Sequence, residues 1–204
     1  MVTTVFVNQL LQFSGGLFSD LSRDLYGDLG GDARSELGTG TGDGTLEGSL
    51  SQVTAALEAA VPSYLGLQLM IFDHDHPITV TRIVTDRTAQ TSLRLPLTAL
   101  DPKSDPKSRI RLYAATAGAF VDLAADLGFV LRDRDERIVL DADLPPGTLV
   151  SGTTGLAELS TVNRAVGVLI GRGQHPDEAH DTLRREASRL ELEPLAYAAQ
   201  LLGR

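Results

Sequence analysis

Residues 156–202, LAELSTVNRAVGVLIGRGQHPDEAHDTLRREASRLELEPLAYAAQLL, read as three short helices. In the first, Leu159, Val162, Val166, Leu169 and Ile170 recur at three- and four-residue steps, the period of one helix face. Gly171 and Gly173 stop it. Pro176, Asp177 and Glu178 open the second: proline loses nothing in a first turn, and acids there complement the helix dipole. Ala179, Leu183, Ala187 and Leu190 are its expected buried stripe. The third begins at Pro194 and presents Leu195, Ala199 and Leu202, with Gly203 as the expected C-cap. Helices this short are stable only when packed together or on a partner.

Leu156, Val162, Ala165, Gly167, Leu169, Arg172, Ala179, Leu183, Ala187, Ser188, Leu195 and Ala199 are the residues by which this run resembles the ANTAR family of RNA-binding antitermination modules. The resemblance covers 156–204, within an expected RNA-binding domain of 148–204, and implies binding of structured leader transcripts, commonly paired hairpin loops, that prevents a terminator from forming. It also implies a homodimer, to which the apolar Leu159, Val162 and Val166 face would contribute. Arg164, Arg172, Arg184, Arg185 and Arg189 would be the phosphate contacts. The chain departs from the family where that has arginine or basic residues: Leu159, Val166, Pro194 and Ala196 stand there, and Ile170 replaces a methionine. On charge alone the arginines read as a solvated face with intrahelical pairs, Asp181 with Arg185 or Glu186 with Arg189. A dimerisation or protein-interaction module that has lost RNA binding is the alternative.

Upstream, a helix is expected from an N-cap at Ser49 to Val61, with Val53, Leu57 and Val61 on one side and Pro62 ending it. Strands follow. Gly66–Phe72 is apolar on both faces and reads as central, Ile78–Val84 pairs with it, and Thr91–Leu97 carries Pro96 at an edge or a strand end. The turn-rich 101–108 precedes a fourth strand, Arg109–Tyr113, and a helix at 114–131 burying Phe120, Leu123, Leu127 and Val130. Ile138–Leu140 could add a short strand, and Pro145, Pro146 and Gly147 mark a boundary. Helix, antiparallel strands, helix resembles the layout of a GAF-type sensor domain, here a short one.

The expected class is therefore α+β, a GAF-like antiparallel sheet with flanking helices at 49–147 followed by the three-helix module. Residues 1–48 would precede them as a broken amphipathic helix, Gln9–Tyr26, and a Gly-rich linker. That glycine run has no following lysine and no preceding strand, so it lacks the chemistry of a phosphate loop.

A net charge of -9 works against nonspecific attraction to nucleic acid, so an RNA contact has to be local. With no cysteine there is no disulfide framework, thiolate nucleophile or cysteine-ligated metal, which fits a reducing cytoplasm. The N-terminus makes a poor signal peptide, and no apolar stretch is long enough to span a bilayer. Asp73, His74, Asp75 and His76 have metal-ligand residue types, but their position before Pro77 is that of a hairpin turn. His175 and His180 have no acid or nucleophile partner evident in sequence, and no nucleophile-elbow pattern is present. The sequence points away from an enzyme and implies no cofactor.

Overall fold

The computed structural model describes residues 46–73, 76–100, 102–131, 138–142, 144–145 and 147–203. The expectations for Gln9–Tyr26, for the linker up to residue 45, and for His74 and Asp75 lie outside the described residues.

The chain is α+β, with five helices and a six-stranded antiparallel sheet among the described residues. Helix α1 is Leu46–Ala60, then come β1 (Tyr64–Asp73), β2 (His76–Ile83), β3 (Thr91–Pro96), a 3-10 turn (Leu97–Ala99) and β4 (Arg109–Ala114). Helix α2 (Val121–Val130), β5 (Val139–Leu140), β6 (Gly152–Thr154), α3 (Leu156–Gly171), α4 (Pro176–Arg189) and α5 (Pro194–Leu202) complete it. The strands lie in the order β5-β3-β4-β1-β2-β6, which makes β1 interior as its apolar run requires.

Register explains which side chains are buried. Leu67 and Leu93 flank Leu112, and Leu69 and Leu95 flank Ile110, in two cross-strand rows on one face. That face and Ile71 form a core with Leu50, Val53 and Leu57 of α1 and Leu123 and Leu127 of α2. Each leucine so buried contributes about 1.5–3 kcal/mol relative to leaving it in water. On the opposite face Gln68 and Arg94 flank Arg111, while Met70 and Pro96 flank Arg109. Near the start of β1 the register shifts between Tyr64 and Gly66. Gly66 sits there at φ 154, and a Cβ at this position would strike the Arg82 carbonyl, so the close approach requires glycine.

Three expectations for this part need correction. Helix α1 starts at Leu46, so Ser49 lies inside it instead of capping it, and the linker assignment gives up residues 46–48. Helix α2 starts at Val121 because Ala114 still belongs to β4 and Gly118 turns the chain at φ 76. Val130 is exposed and Leu131 is buried in its place. Strand β6 was not foreseen, since Gly-Thr-Thr carries no apolar alternation.

Contacts divide the described residues into two units, 46–71 with 80–152, and 72–79 with 153–203. The sequence expectation drew its boundary at 147. Among the described residues no helix is long and apolar enough to cross a membrane.

Candidate nucleic-acid interface

Helix α3 begins on Gly155, whose φ of 90 is left-handed; a Cβ there would collide with the Pro77 carbonyl. Glycine is thus required at the N-cap, and the Leu159 N–H donates to the Gly155 carbonyl at 3.0 Å. The helix ends in a reciprocal pair of backbone bonds: Gly173 N–H to Ile170 O at 2.8 Å and Gln174 N–H to Leu169 O at 3.3 Å, with Gly173 at φ 96. These are the two bonds of a Schellman cap. Pro176 in the first turn of α4, with Asp177 and Glu178 beside it and Arg189 in the last turn, gives that helix charges complementary to its dipole at both ends.

Between the helices lies a core of Val162, Ala165, Val166 and Leu169 from α3, Ala179 and Leu183 from α4, and Ala198 and Leu201 from α5. Alanine at three of the crossing points lets the backbones approach closely. The expected stripes hold with exceptions. Ile170 and Leu190 are exposed, and α5 is turned by one residue, burying Ala198 and Leu201 where Ala199 and Leu202 were expected. Gly203 does occupy the C-cap, but with right-handed backbone.

Leu159, Val162 and Val166 are all buried in the single chain. They therefore cannot be the exposed dimer face expected of them, and a dimer would have to use other residues. Two positions at which the resemblance implies basic residues, 159 and 166, are filled here by buried apolar side chains.

The five arginines lie on the outer parts of this unit, on two helices. Arg164 and Arg172 are exposed and take part in no side-chain hydrogen bond or ion pair among the described residues. They stand eight residues apart, about 12 Å along the α3 axis. Arg172 is the C-cap residue of α3, where a cation faces the negative end of the dipole. On α4, Arg185 and Arg189 share a side by their four-residue spacing, whereas Arg184 is turned about 100° away. Arg184 Nη1 pairs with Asp181 Oδ1 at 3.5 Å, Arg189 Nε donates to Glu186 Oε2 at 2.9 Å, and Arg185 Nη2 donates to Thr182 Oγ1 at 3.0 Å. The expected Asp181 pair thus goes to Arg184 instead of Arg185. Surface pairs of this kind are worth about 0–1 kcal/mol, so phosphate oxygens can exchange for the acids at small cost.

His175 Nδ1 lies 3.8 Å from Asp177 Oδ2, both at the surface. Among the described residues no group of three or more His, Cys, Asp or Glu side chains is placed to hold a metal.

A second set of arginines escaped the sequence reading. Arg94, Arg109 and Arg111 share the outer face of the sheet, where Arg111 Nη1 donates to Gln68 Oε1 at 2.9 Å and Arg109 Nη2 to Met70 Sδ at 3.2 Å. Gln68 Nε2 continues the chain to Thr81 Oγ1 at 3.4 Å. The signal was the two-residue alternation in each strand, and only the register between β3 and β4 turns it into a shared patch.

No family model, no curated protein and no solved structure matches this chain.

Proposed function

We propose that this protein is a transcription antitermination regulator of the ANTAR type, binding structured leader RNA through α3–α5, with a GAF-like N-terminal part that senses a signal or dimerises. The observation that carries the reading is the display of Arg164, Arg172, Arg185 and Arg189 on the outside of a packed three-helix unit. Their side chains are available to phosphates without unpacking the core. The sheet domain supports the second half of the reading, because a helix, an antiparallel sheet and a second helix succeed one another as in the GAF layout. A homodimer is part of the proposal, since one module per hairpin engages paired loops. Nothing in the proposal calls for catalysis, a cofactor or a membrane, and it places the protein in the cytoplasm with the RNA it acts on.

The rival is a dimerisation or protein-interaction module without RNA binding. The pairing of Arg184 and Arg189 with acids on their own helix favours it. Substituting both Arg185 and Arg189 by alanine separates the two readings. RNA contact predicts weaker binding and a log-affinity against log-salt slope shallower by about 1.4–1.8, with helical circular dichroism unchanged. An unchanged slope removes these residues from an RNA site.

A further inference from the structure

We infer that the outer face of α2 is the seat of a strap from the same chain, residues 17–26, a reading independent of RNA binding. Val121, Ala125 and Phe129 follow one another at four-residue steps and so form a stripe about 12 Å long on one side of α2. The other side buries Leu123 and Leu127 in the sheet core. A helix that buries one face normally presents polar residues on the opposite one. Here Val121 is 53 % exposed, Phe129 67 % and Val130, at the end of the helix, 49 %. Phe129 takes part in an interaction within the chain and keeps this exposure with it in place.

The chemistry of the face narrows the occupant. Asp122 and Asp126 border the stripe on one side and no lysine or arginine stands on α2, which excludes a polyanion. A second copy fits poorly, because the stripe exposes only a few hundred Å2, against roughly 800 Å2 per partner in a stable interface. A segment tethered to the same chain needs no such area, since its local concentration is on the order of millimolar.

Residues 17–26, LFSDLSRDLY, lie outside the described residues, and their sequence carries the matching pattern. Leu17, Leu21 and Leu25 recur at the same four-residue step, so in helical form they make a stripe of the same length, about 12 Å. Gly15 and Gly16 set this piece apart from the apolar residues before it. Face to face, the middle positions are Leu21 and Ala125 whichever way the strap runs, and the small alanine leaves room for the leucine between Val121 and Phe129. At 100° per residue, Asp20 and Asp24 fall on one edge of the leucine stripe and Asp122 and Asp126 on the other edge of theirs, so an antiparallel strap keeps the acids apart. Residues 27–45 join the strap to α1, and a Gly-rich chain of that length spans about 22–26 Å. Helix α1 begins at Leu46 and shares one core with α2 on the same face of the sheet, which brings α2 within that reach.

The chain has no cysteine, so disulfide trapping in the full chain tests the seat without a background. Under mild oxidation, Leu21→Cys with Ala125→Cys should close an intramolecular disulfide about tenfold faster than a control pair, at a rate independent of protein concentration. The control is Leu21→Cys with Gln52→Cys, on the exposed side of α1 and nearer to the strap in sequence. Adding Val121→Asp and Phe129→Asp to the trapping pair should return the rate to that of the control, with circular dichroism unchanged. Leu17→Asp with Leu25→Asp should do the same from the side of the strap, and leaves α2 untouched should the first pair disturb folding. Fast closure abolished by the aspartates on the strap supports the inference. Closure no faster than in the control, closure that survives those aspartates, or a disulfide that links two chains, the sign of a second copy on this face, overturns it.

Discussion

Glu191 has left-handed backbone, φ 55, immediately after the C-cap of α4. It does there what Gly173 does after α3: its N–H donates to Ser188 O at 3.1 Å, and the next N–H, of Leu192, donates to Ala187 O at 2.9 Å. An L-residue in this conformation costs about 1–2 kcal/mol, part of which glycine recovers. Glu191→Gly should therefore stabilise the chain by about 0.5–1 kcal/mol, read as a higher urea midpoint with unchanged m. Asp141, at φ 56, is the other such residue among the described residues. Its carboxylate accepts from Thr91 Oγ1 at 2.6 Å and from Ser92 N–H at 2.9 Å, and these bonds, the Thr91 one foremost, hold its pKa below the ordinary carboxylate value. A carboxyl lowered on folding contributes stability that is complete above its unfolded pKa, about 3.9, and is lost as pH falls through the folded value. Denaturation midpoints of Asp141→Asn should accordingly fall less than those of the parent between pH 5 and 3, and parallel curves would contradict the bond. Neither residue was legible in sequence, because a left-handed glutamate or an aspartate reaching back to a distant strand leaves no local pattern.

At the scale of elements, local signals located the boundaries of α3 and α4 well, those of α1 and α2 less well, and faces less well again. Pro176 and the Gly171/Gly173 pair are punctuation that sequence alone can read, and α3 and α4 start and stop where those residues put them. The nine residues of α5, PLAYAAQLL, are apolar almost all round, so periodicity does not choose a face and tertiary packing decides. Packing chose Ala198 and Leu201. Leu201→Ala should cost about 2–4 kcal/mol, while Ala199→Gln should stay within about 0.5 kcal/mol, both by urea unfolding. The reverse ranking would return the helix to the register expected from sequence. The sheet followed the same rule. The residue pattern located β1 to β4, but Arg94, Arg109 and Arg111 became one surface only through strand register, and β6 is a strand because β2 is beside it.

For the whole molecule the governing quantity is charge. A chain of net charge -9 approaches a polyanion against its own mean field, so affinity has to come from arginines gathered locally and should be steeply salt-dependent. That is the property by which the RNA reading differs most from a protein-interaction module, whose apolar contacts would respond weakly to salt. The most direct measurement is binding of the full chain to paired-hairpin RNAs from its own leader regions, with random hairpins of equal length as reference, at 50 and 200 mM salt. The account predicts selective binding that loses at least tenfold in affinity across that range. Binding no tighter than to the random hairpins, by protein shown to be folded, would contradict it.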